Sequence, residues 1–107
     1  MPVPTLTHLQ FLVLQILGGS QRPGRYLRAE LAKNAQRKSL PAFYQMMARL
    51  EDANFVEGSY RRIDIDDQPV QERCYKITAP GLKAYHSTRD FYFQSSLNTA
   101  KGGVIHG

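Results

Sequence analysis

The chain has 107 residues, 42% hydrophobic and 21% charged, enough for one small core, which excludes both a multidomain enzyme and a disordered chain. Fourteen lysines and arginines against nine aspartates and glutamates leave a net charge of +5, a balance that favours a polyanionic partner. The single cysteine, Cys74, excludes an internal disulfide, and with the scattered His8, His86 and His106 it offers no metal-ligand spacing, so no metal or cofactor is expected.

The first helix opens on Thr7, which can cap it while Gln10 reaches back and Leu6 staples to Phe11. Its apolar face is Leu9, Leu12, Val13, Ile16 and Leu17, and Gly18-Gly19-Ser20 stops it. The run Phe11-Leu12-Val13-Leu14 is too short to span a bilayer and no basic stretch precedes it, so a soluble, cytoplasmic protein without a membrane partner is expected. Pro23-Gly24 reads as a turn, and a second helix follows from about Arg25 to Lys33, with Leu27 and Leu31 buried and Arg22, Arg25 and Lys33 on the far side.

Ser39 caps a third helix over 39–53, whose core stripe is Phe43, Met46, Met47 and Leu50. Asn54 suits a left-handed residue after its end, with Phe55 packing back on Leu50. A hairpin over 55–77 follows, with strands 55–63 and 71–77 and a turn at 64–70 around Asp66-Asp67-Gln68-Pro69. Thr78 caps a last helix that carries Tyr85 and the run Phe91-Tyr92-Phe93. Three successive aromatics sweep about 200° around a helix, more than one small core can cover, which points to a second subunit. After Leu97 the periodicity ends.

Charge is segregated along this order. Residues 21–62 hold nine cations against four carboxylates, whereas the remainder balances five against five. Three helices, a hairpin and a closing helix around a basic middle describe a mainly α winged helix-turn-helix, with residues 1–78 as the DNA-binding domain, 79–97 as a dimerisation helix and 98–107 as a disordered tail.

Leu6-Thr7, the stretch Ser39-Leu40-Pro41-Ala42-Phe43-Tyr44 leading to Arg49-Leu50-Glu51-Asp52-Ala53-Asn54-Phe55-Val56, and Arg73-Cys74-Tyr75-Lys76-Ile77-Thr78-Ala79-Pro80-Gly81 resemble the corresponding segments of PadR-like transcriptional regulators. The likeness covers roughly residues 5 to 95. It implies a homodimeric transcription factor, usually a repressor, in which the last helix makes much of the dimer contact and ligands bind near that interface. No effector is legible in the sequence.

Opposite the core stripe of the third helix, Gln45 can bridge an adenine edge, Arg49 can reach guanine or phosphate, Ser39 and Tyr44 suit phosphate oxygens, and Ala42 permits close approach to the groove wall. Arg25 on the second helix and Lys38, with Arg37 and Lys33, are placed for backbone phosphates, and Arg61 and Arg62 fall on opposite faces of the hairpin. Tyr85, Arg89, Phe91, Tyr92 and Phe93 are the candidate dimer contacts. Asp64, Asp66 and Asp67 near the hairpin tip would be repelled by phosphate, and they favour the alternative of a winged-helix protein-interaction module without DNA binding. No convergent acid, base and nucleophile set is present, so no enzyme is expected, and Cys74 reads as a small apolar filler.

Overall fold

The computed structural model describes residues 6–106, and the side chains of residues 6–94. Its elements are α1 (His8–Leu17), β1 (Arg22–Pro23), α2 (Gly24–Lys33), α3 (Leu40–Asp52), β2 (Val56–Ile65), β3 (Gln68–Ile77) and α4 (Ala79–His106). This is the expected winged helix-turn-helix, with a small antiparallel sheet beside a helical core.

α1 begins as its sequence dictates. The Gln10 amide donates to Thr7 Oγ1 at 3.1 Å while the Thr7 amide donates to Gln10 Oε1 at 3.0 Å, a complete capping box. Gly18 ends the helix at φ +56°, in the left-handed half of the map that glycine enters without cost. The buried arc differs from the predicted stripe: Leu14 is fully buried with Val13 and Leu17, and Leu9, Leu12 and Ile16 are half-buried. The cause is α4, which lies on the Phe11 side of α1, so the helix is covered from more than one direction.

Leu27, Leu31, Phe43, Met47 and Leu50 close the core between α2 and α3. Both helices end in the same way. At α3, Asn54 takes φ +62°, the Phe55 amide donates to the Leu50 carbonyl and the Asn54 amide to the Glu51 carbonyl, the predicted Schellman ending. At α2 the left-handed residue is Ala35, at φ +59°, with the Gln36 amide on the Leu31 carbonyl and the Ala35 amide on the Ala32 carbonyl. That ending fixes the segment 34–38, which carries the chain from α2 to the Ser39 cap of α3.

The expected hairpin is one part of a three-stranded sheet in the order β1-β3-β2. Arg22 pairs with Tyr75 and Pro23 with Cys74, a strand of two residues where a turn is predicted. Proline is tolerated there because β1 is an edge. The turn between β2 and β3 is also tighter than predicted. Only Asp66 and Asp67, at φ +51° and +62°, lie between Ile65 and its partner Gln68. Two left-handed central residues make the type I′ turn that matches the twist of the strands. Pro69, predicted as part of the turn, pairs with Asp64 within the ladder. One step from a two-residue turn is a position without ladder hydrogen bonds, so the missing amide proton faces outward.

Thr78 caps α4 as predicted, its Oγ1 accepting from the Gly81 amide at 3.0 Å and donating to the Asn54 carbonyl at 2.6 Å. Gly81 lies so close to the residue before β2 that a Cβ there would stand 2.0 Å from the Phe55 carbonyl oxygen. α4 continues past residue 97, where a tail is predicted, and residues 98–106 hold no proline to stop it. Gly107 and the side chains of 95–107 fall outside the described residues.

Candidate nucleic-acid interface

α3 presents its apolar stripe inward, with Phe43, Met47 and Leu50 fully buried, which leaves Gln45, Ala48 and Arg49 exposed and Ala42 half-buried on the other side. Residues 42, 45 and 49 are spaced to share one helix face. Together with Lys38 they line an open cleft of about 250 Å³, closed on its other side by Thr7 and Gln10 at the start of α1. The structure thus brings together four of the predicted contact residues, Lys38, Ala42, Gln45 and Arg49. Ser39 stands at the head of the same helix, its Oγ accepting from the Ala42 amide at 3.3 Å and its own proton free to donate.

The other predicted contacts are partly engaged within the chain. Arg25 is exposed but its Nε is paired with the carboxylate of Glu72, a largely buried side chain on β3. Tyr44 leans over the start of α2, where its hydroxyl would stand 2.9 Å from a Cβ on Gly24. Arg61 and Arg62 are exposed on opposite faces of β2, as alternation requires. Arg61 sits opposite Glu72 in the ladder, so Glu72 lies between two of the expected cations. Arg22, predicted on the side away from Leu27 and Leu31, is half-buried on β1 with its guanidinium 4.8 Å from the centre of the Tyr26 ring. Pairings 47 residues apart, such as Arg25 with Glu72, leave no periodic trace in a sequence.

A second set of contacts fixes the wing to α3. Arg73 Nη2 donates to Glu51 Oε1 at 2.5 Å, and the same guanidinium lies 4.8 Å from the Tyr60 ring centre and 5.8 Å from that of Tyr75. A Cβ on Gly58 would reach within 1.8 Å of Glu51 Oε1, so glycine at that strand position leaves the space in which the pair meets. Burial of the Tyr75 phenol pushes its pKa up to about 12, against the opposing pull of Arg73. Burial likewise pushes the Cys74 thiol up, away from the reactive thiolate.

On α4, Tyr85 stacks on Phe11 at 5.0 Å and 8°, and Tyr92 meets Phe11 edge-on at 5.6 Å. Two of the five predicted dimer contacts are therefore used to seat α4 on α1. Phe93 is 60% exposed and Arg89 is exposed beside Asp90, while Phe91 is half-buried. Among the described residues no group of three metal-ligating side chains occurs, and no helix is long and apolar enough to cross a membrane.

No family model matches the sequence, and no curated protein does. Solved structures do share its fold. A PadR family transcriptional regulator from Eggerthella lenta superposes with a TM-score of 0.69 at 22% identity, covering 87% of this chain and 79% of that one. A PadR-like transcriptional regulator from Bacillus cereus gives 0.70 at 19% identity over 92% of both chains. A PadR family regulator from Clostridium difficile gives 0.71 at 14% identity, over 87% and 97%. The architecture of PadR-like regulators, which the sequence motifs resemble, is therefore the fold of this chain.

Proposed function

We propose that the protein is a transcriptional regulator that binds double-stranded DNA, inserting α3 into the major groove while the hairpin lies along the flanking backbone. The observation that carries this reading is the gathering of Lys38, Ala42, Gln45 and Arg49 along one open face, in a fold shared with regulators of transcription. Gln45 and Arg49 read base edges, and Lys38, Ser39 and Tyr44 hold phosphates. Arg25, Arg61 and Arg62 add long-range attraction, moderated at Arg25 and Arg61 by Glu72. The protein acts as a homodimer through α4 and as a repressor, both of which rest on the resemblance and, for the dimer, on the exposure of Phe93.

A polarisation titration on promoter duplexes at several salt concentrations tests the reading. Affinity should fall steeply with salt, Arg49→Ala should lose discrimination between sequences, and Lys38→Ala should weaken all duplexes alike and reduce the salt slope by about 1. Failure to bind any duplex at low salt, with one protein partner captured in stoichiometric amount, would establish the interaction-module alternative instead. Sedimentation tests the dimer, which Phe93→Asp should dissociate.

A further inference from the structure

The wing leaves one strand edge without a partner among the described residues. In the order β1-β3-β2, β2 is an outer strand, and no backbone hydrogen bond outside the ladder engages residues 60–65. Edges of this kind are usually blunted by a proline, a bulge or a charge. The outer edge of β3 beyond β1 carries Pro69, whereas β2 holds no proline and its register with β3 runs from Val56 to Ile65 without a bulge. We infer that this edge pairs with β2 of a second copy of the chain, antiparallel and centred on Ile63, so that two wings form one continuous sheet.

Geometry and charge select that register. A two-residue turn closes on a hydrogen-bonded pair, Ile65 with Gln68, so the amides and carbonyls of Ile65, Ile63 and Arg61 point into the ladder and those of Asp64, Arg62 and Tyr60 point outward. Two antiparallel copies exchange those outward groups when even-numbered residues stand opposite even-numbered ones. Of the registers that use the distal half of the strand, those centred on Arg61 or Arg62 set arginine against arginine, and that centred on Asp64 sets aspartate against aspartate. Centred on Ile63, Arg62 of each copy faces Asp64 of the other, two opposite-charge pairs that also exchange their backbone hydrogen bonds. An arginine on an edge ordinarily deters pairing, and Asp64 two residues on reverses that in this register.

The same register covers apolar surface that the wing leaves open. Ile63 and Val70 stand opposite each other on the other face of the sheet with Ile65 beside them, and Ile65 and Val70 are both exposed. On pairing, Ile63 meets Ile63 of the second copy at a non-hydrogen-bonded position, where side chains approach most closely, and Val70 extends the row from either side. Ile65 lies along the stem of Arg61 of the second copy. The contact shares Arg62 with the proposed DNA surface and leaves Lys38, Ala42, Gln45 and Arg49 free. It stands with or without DNA binding, and together with a dimer through α4 it would join copies into larger assemblies.

The test cross-links and sediments the full chain. Under mild oxidation Ile63→Cys should give a covalent dimer, because its two sulfurs meet at the two-fold axis, and Ile65→Cys, four residues out of register with itself, should cross-link about tenfold more slowly. Cys74 is buried and does not compete. In sedimentation, with Phe93→Asp throughout to remove contacts through α4, Arg62→Glu and Asp64→Arg should each weaken self-association about tenfold, since each sets like charges opposite one another twice. Mixed in equal amounts, these two variants present opposite charges to each other at both positions, and association should return to that of the unaltered pair, a rescue that loss of folding could not produce.

The proposal is overturned if Ile65→Cys cross-links as fast as Ile63→Cys, if the mixture associates no better than its components, or if the chain stays monomeric at every concentration, which would leave the edge to a strand of a different protein. Promoter binding is a separate measurement. Its absence would overturn the function proposed above and leave the paired wings standing.

Discussion

At its root the hairpin is tied to its neighbours on every side, whereas toward its tip the same two strands are exposed. The root holds Val56, Cys74 and Tyr75 buried, with β1 along the outer edge of β3, α3 bound through Glu51 and Arg73, and α4 docked on the Phe55 carbonyl. Nearer the tip, Ile65 is 50% and Val70 40% exposed, and the turn carries Asp66 and Asp67. The contrast separates two tasks within one ladder. The root sets the angle between the wing and α3, and the tip, acidic and unburied, contributes little to stability and would repel phosphate.

The largest effect is expected at Gly81. An alanine there must drive the start of α4 off the backbone of Phe55, at a cost of about 3 kcal/mol and a fall in Tm of roughly 10–20 °C, read by calorimetry. A fall of a degree or two would show that the root yields as easily as the tip. Tyr75 follows. Its proton leaves a buried site in the folded chain and an exposed one in the unfolded chain, so the stability it adds is intact below pH 10 and is lost as pH rises through about 12. Urea midpoints between pH 8.5 and 12 should record a loss on the order of 2 kcal/mol, and Tyr75→Phe should remove that part of the decline.

Arg73→Ala should cost about 1.5 kcal/mol, because it leaves Glu51 half-buried without its donor and strips the faces of Tyr60 and Tyr75. A cycle with Glu51→Ala should show a coupling of about 1 kcal/mol in chemical denaturation. Last, Asp67→Gly should raise stability by about 0.5–1 kcal/mol by relieving a left-handed aspartate, the one change of opposite sign. If it destabilises, the tip carries a contact that the comparison denies it.

The elements that local chemistry decides were legible in the sequence. Thr7 with Gln10, Ser39, Asn54 before Phe55, and Thr78 each mark a helix boundary that the structure keeps, because a cap needs only residues within one turn. What could not be read depends on partners far along the chain. β1 has two residues and no period, and it exists because Tyr75 and Cys74 come to lie beside it. Pro69 has the composition of a turn and the position of a strand, settled by the register of the whole ladder. At the end of α2, Asn34 is the residue with left-handed preference, yet Ala35 takes that conformation, because the Leu31 and Ala32 carbonyls fix where the turn closes.

The interface divides in the same manner. Ala42, Gln45 and Arg49 follow from helix spacing alone and could be read. Glu72 could not, for its role is defined by Arg25 and Arg61 from two other elements.

The Schellman ending of α3 passes directly into β2, with Ala53, Asn54 and Phe55 as the whole connection. Length variation is therefore barred there. One inserted residue would rotate the strand's faces, putting Val56 outside and Glu57 within, and would cast off the Glu51–Arg73 tie. At the Asp66-Asp67 turn, by contrast, residues added in pairs lengthen the wing and preserve every register below them. Chains descended from a common ancestor with this one should thus differ in the reach of the wing and agree in the number of residues between α3 and β2.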